Sequence, residues 1–178
     1  GAGFYVDAIQ QPWQRHYRMF SWISEELPAL IDAHFPTDPR RRGICGHSMG
    51  GHGALVLALR RPDVFHSCSA FAPIAAPSRC AWGHKAFGHY LGDDHSVWES
   101  YDASALMRVT PFPREILVDQ GLADNFLSQQ LLPECLEAAA AESGQALRLR
   151  RHAGYDHGYY FIQSFVADHL RHHALQLG

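Results

Sequence analysis

The chain has 178 residues, 47% of them hydrophobic, and a formal charge of −3. That length suffices for one domain with a substantial core, and residues 1–178 are expected to form a single one. The weak charge gives no electrostatic case for nucleic acid or an anionic membrane, and no apolar run matches a bilayer span or a signal peptide.

In chain order, the segment from Arg15 to Phe35 places apolar residues at Phe20, Ile23, Leu27, Leu30 and Ile31, a helical stripe, with a kink or break expected at Pro28. Residues 42–45 read as a first strand and residues 52–60 as a helix. Residues 67–72 form a second expected strand, closed by Pro73. Residues 73–101 are rich in Pro, Gly, Trp and His without a sustained period, and read as a long functional loop. A third strand is expected over 115–119, an alanine-rich helix over 127–142, a near-edge strand over 146–150, and a closing helix over 159–175. Strands alternating with helices predict an α/β fold, a mostly parallel sheet with helices on both faces.

The cysteines, Cys45, Cys68, Cys80 and Cys135, show no metal-binding spacing. Cys45 and Cys68 fall in expected buried strands, so reduced thiols in a cytoplasmic protein are the reading. The chain has 13 histidines. Metal binding needs clustered ligands, and the one adjacent pair, His172 and His173, reads as a solvated helix end, so no metal or other cofactor is expected.

One motif carries the chemistry. Gly46-His47-Ser48-Met49-Gly50 is a G-x-S-x-G pentapeptide between an expected strand and an expected helix, the context of a nucleophile elbow. Small residues at Gly46 and Gly50 are expected to let the strand and helix pass closely while Ser48 is held in a strained conformation. A serine nucleophile needs a base and an acid that orients the base, following in the order serine, carboxylate, histidine. The loop after the third strand offers Asp119 and Asp124. Asp119 ends the strand and is expected to serve structural hydrogen bonds, which favours Asp124. After the fourth strand come His152 and His157, and the glycine-flanked loop position favours His157. The backbone N–H of Met49, the residue after the nucleophile, is the expected oxyanion donor.

These residues carry a resemblance. Gly46-His47-Ser48-Met49-Gly50-Gly51-His52-Gly53, Ser69-Ala70-Phe71-Ala72-Pro73-Ile74, Trp82-Gly83-His84-Lys85-Ala86-Phe87, Asp119-Gln120-Gly121 and Gly154-Tyr155-Asp156-His157 together resemble the S-formylglutathione hydrolase (esterase D) family over the whole chain. The resemblance implies an α/β-hydrolase that cleaves a small-molecule glutathione thioester to formate and glutathione without a cofactor, with homodimers usual among relatives. It places the family's serine, aspartate and histidine on Ser48, Asp124 and His157, and departs from the family at Ala123, where an acidic residue is usual. It further implies that the chain corresponds to roughly the last two-thirds of such an enzyme, without the first strands and one oxyanion donor. A formyl substrate calls for a constricted acyl pocket, with Trp82 the candidate wall, while Arg79 and Lys85 read as solvated surface charge. A general carboxylesterase or acyltransferase, or a non-catalytic interaction module, are the rival readings.

Overall fold

The computed structural model describes residues 3–178. Among them four strands, β1 (Gly43–His47), β2 (Ser67–Phe71), β3 (Ile116–Gly121) and β4 (Leu147–His152), form one parallel sheet in sequence order. In-register pairing sets His47 opposite Phe71, Phe71 opposite Asp119, and Gly121 opposite His152, so the strands finish at one end of the sheet. In parallel α/β sheets that is the end where chemistry gathers.

Among the described residues eight α-helical segments surround the sheet: α1 (Met19–Ser21), α2 (Leu27–His34), α3 (Met49–Arg60), α4 (Ala81–Leu91), α5 (His95–Glu99), α6 (Ala103–Val109), α7 (Pro133–Ser143) and α8 (Tyr159–Leu177). The side-chain alternation of β2 shows that helices cover both faces. Cys68 Sγ points at the Ala54 carbonyl of α3, whereas the hydroxyls of Ser67 and Ser69 meet His173 of α8. Residues 51–59 of α3 are all buried, as their nearly unbroken apolar character requires.

Several expectations need correction. The stretch 73–101 is not a loop, since it contains α4 and α5, and α6 follows at Ala103. Gly83 made α4 read as coil, yet a Cβ there would lie 1.9 Å from the Pro77 carbonyl oxygen, so this glycine serves close packing. Asp94 and Asp102 cap α5 and α6, accepting hydrogen bonds from Ser96 N–H at 2.9 Å and from Ser104 N–H at 3.0 Å. At Pro28 the helix does not break. It widens instead into a π-helical stretch, Trp22–Glu26, immediately before α2, a distortion suited to a ring that clashes with the preceding turn and offers no N–H. The expected helix over 127–142 is divided by Leu132 in a left-handed conformation, with Pro133 opening α7.

Cys45 is exposed rather than buried, because β1 has no neighbour on its outer side among the described residues. Nor do His172 and His173 form a solvated helix end. His172 is buried and donates from Nε2 to the Cys68 carbonyl at 3.0 Å, and the two ring nitrogens of His173 lie 2.6 and 2.8 Å from the hydroxyls of Ser67 and Ser69.

Candidate active site

Ser48 stands between β1 and α3 with φ 58° and ψ −119°, a region costly for a non-glycine residue. The surrounding hydrogen bonds hold it there. Its N–H donates to the Phe71 carbonyl at 2.9 Å, and its carbonyl accepts from His52 N–H at 2.9 Å. A Cβ at Gly46 would lie 2.0 Å from the Gly50 carbonyl oxygen, so that glycine is required for the chain to fold back on itself. The expectation for Gly50 is not met in the same way, because a Cβ there would find only Tyr5 Oη, at 3.6 Å. Met49 opens α3, so no carbonyl within the helix accepts its N–H.

Asp124 lies in the loop after β3, with a fully buried side chain. Its Oδ1 accepts from Phe126 N–H at 2.9 Å. Its Oδ2 lies 2.5 Å from His157 Nδ1 and 3.4 Å from Gln120 Nε2, so one carboxylate oxygen fixes the loop while the other meets the imidazole. His157 precedes α8 and keeps a fifth of its side chain exposed, leaving the far edge of the ring accessible. Its ring packs at 4.5 Å between centroids against His47, the residue before Ser48, and meets Phe126 edge-on at 5.2 Å. Burial, reinforced by the neighbouring His157 and opposed by Asp124, lowers the pKa of His47 and favours its neutral form.

Asp119 is committed elsewhere. Its carboxylate receives Arg150 Nε and Nη2, each at 2.6 Å, and His169 Nε2 at 3.2 Å. His152 Nε2 is 3.3 Å from the same carboxylate but poorly aligned for a hydrogen bond, and its ring stacks on Phe165 at 3.8 Å.

Ser48 and Met49 line a cavity of about 620 Å³ together with Trp82, Lys85 and His89 of α4. Trp82 packs at 4.8 Å against Phe126, joining the cavity wall to the His157 loop. Arg79 is absent from this lining and directs Nη1 to Cys135 Sγ at 3.4 Å. Sequence reasoning missed the packing of His47 and Phe126 on His157, although both adjoin or nearly adjoin residues it chose. Among the described residues no group of three or more His, Cys, Asp or Glu side chains is arranged to hold a metal ion, and no helix is long and apolar enough to cross a membrane.

A parallel sheet clad by helices on both faces, with a serine in a strained strand-to-helix turn, defines an α/β-hydrolase. The chain belongs to the esterase family, whose model, described as "Putative esterase", matches residues 1–172. Its relatives include S-formylglutathione hydrolases of Mus musculus, 54% identical over 99% of this chain, and of Paracoccus denitrificans, 52% identical over 100% of it. A solved structure of an S-formylglutathione hydrolase from Agrobacterium tumefaciens matches with a TM-score of 0.96 and 52% identity, covering 99% of this chain and 64% of that one. The chain likewise spans 64% and 63% of the length of the two curated relatives.

Proposed function

We propose that the protein hydrolyses S-formylglutathione to formate and glutathione by acyl transfer through Ser48, with His157 as base and Asp124 as its orienting acid. The reading draws its substrate from the names of relatives at 52–54% identity. The observation that carries the chemistry is the 2.5 Å contact between Asp124 Oδ2 and His157 Nδ1, at the sheet end where Ser48 also sits. A buried carboxylate on Nδ1 selects the tautomer whose Nε2 is free to accept a proton.

In the first step His157 Nε2 takes the Ser48 hydroxyl proton as Oγ attacks the formyl carbon. The Met49 N–H donates to the oxyanion that forms. Collapse breaks the carbon–sulfur bond, and the imidazolium returns its proton to the departing glutathione thiolate. Water, deprotonated by the same imidazole, attacks the formyl-serine ester, and formate leaves as Ser48 regains its proton. Trp82 is the wall that keeps the acyl pocket small, since it lines the same cavity as Ser48. In this reading residues 1–178 belong to one domain of a cytoplasmic enzyme that works without a cofactor and pairs as a homodimer.

The test compares rates on S-formylglutathione with those on aryl esters of increasing acyl length, alongside labelling by a fluorophosphonate. Preference for the formyl thioester, a fall in rate from formyl to longer acyl groups, and labelling confined to Ser48 are expected. Faster turnover of long aryl esters would instead indicate a general carboxylesterase and remove the role given to Trp82. Failure to label Ser48 would indicate a non-catalytic module.

A further inference from the structure

Lys85 is the only lysine among the 178 residues, the remaining 14 basic side chains all being arginines. It lines the cavity that holds Ser48. Trp82, Lys85 and His89 follow the three- and four-residue spacing of one face of α4, and all three meet the cavity. Among the described residues no aspartate or glutamate lines that space.

Eight of the 14 arginines behave differently, Arg40 and Arg171 among them. Arg42, Arg61, Arg108, Arg148, Arg150 and Arg151 each sit within 4.0 Å of a carboxylate. Lys85 is exposed and forms no such pair among the described residues. An ammonium on a flexible four-carbon stem is a mobile point charge, suited to following a carboxylate in a flexible ligand rather than to holding a fixed bidentate pair.

Glutathione carries two carboxylates at the ends of a flexible peptide, with the thioester near its middle. Serine and cation therefore share a space in which the acyl group can face Ser48 while a carboxylate reaches toward α4. We propose that Lys85 selects the anionic glutathione moiety, its ammonium pairing with a peptide carboxylate of the thioester bound beside Ser48. This assignment rests on the substrate class proposed above, and it replaces the reading of Lys85 as solvated surface charge.

The experiment uses S-methylglutathione, which cannot be hydrolysed, as a competitive inhibitor of nitrophenyl acetate turnover by the purified protein and its variants. Lys85→Met is expected to raise the inhibition constant about fivefold and Lys85→Glu more than about tenfold, with Lys85→Arg restoring most of the loss, the scale of one partly sheltered charge pair. The wild-type constant should also weaken with added salt, and the Met variant's should not. Converting the inhibitor's carboxylates to methyl esters should remove the difference between wild type and Lys85→Met. Equal inhibition of all variants, a Met effect that persists with the esterified inhibitor, or no inhibition of the wild type would overturn the assignment. The reaction proposed above fails separately: S-formylglutathione would then go unhydrolysed while Lys85-dependent inhibition remained.

Discussion

Asp119 and Asp124 lie five positions apart and have opposite assignments. The difference is one of direction. Asp119 lies within β3, two residues before its end at Gly121, facing α8, where burial pushes its carboxyl pKa up but hydrogen bonds from His169 and Arg150 outweigh that and hold it well below the usual carboxylate range. Asp124, beyond the strand, is free to turn toward His157. Asp124→Asn keeps the size of the side chain but lets its amide oppose the required tautomer, so kcat is expected to fall roughly 10³- to 10⁴-fold with little change in thermal stability. The pairing of Asp124 with His157 was legible in the sequence because each lies in the loop after a strand, in the order that the motif demands. The partners of His172 and His173 were not, since their burial depends on α8 docking across strands some hundred residues earlier.

The elements show where periodicity served and where it failed. The strands were legible within one or two residues from short apolar runs. Helix α4 was not, because its glycines and aromatics resemble loop composition and its buried face is defined by partners remote in sequence. The caps were visible in hindsight, since Asp94-His95-Ser96 and Asp102-Ala103-Ser104 both set an aspartate two residues before the N–H it accepts. Gly83→Ala discriminates the two accounts of that glycine. A loop glycine would tolerate alanine, and an ordinary helical position would gain about 1 kcal/mol from it. The 1.9 Å approach to Pro77 predicts instead a net loss of about 1–3 kcal/mol, read as a lower urea midpoint at unchanged slope.

At the scale of the whole molecule, buried imidazoles set the response to acid. Burial lowers the pKa of His52 to about 4, partly offset by its contact with the Phe4 carbonyl at 3.2 Å, and burial with neighbouring His172 and His169 lowers that of His173 to about 4. His172 is lowered as well, chiefly by burial. His52 and His173 take up protons in the unfolded chain near the ordinary value of 6.5, while in the folded chain they resist until about 4. Stability is therefore complete above about pH 6.5 and falls as the pH drops toward about 4, with His52 alone contributing a slope on the order of 1 kcal/mol per pH unit. Thermal melts across that interval check it, and the slope should shrink in His52→Gln, where the pH-independent loss is separable from the pH-dependent one. Asp119 adds a further loss only below that window, because its depressed pKa keeps it ionised until stronger acid.

Helix α8 has a consequence for how the sheet is assembled. Through His169, His172 and His173, α8 reaches the thiol of β1, the carbonyl and hydroxyls of β2, and the carboxylate of β3. Until that helix docks, the serines of β2 and the aspartate of β3 lack the imidazole partners that α8 brings them. The turn at Ser48 is local and can form early, whereas this face of the sheet closes only when α8, which follows all four strands in the chain, docks.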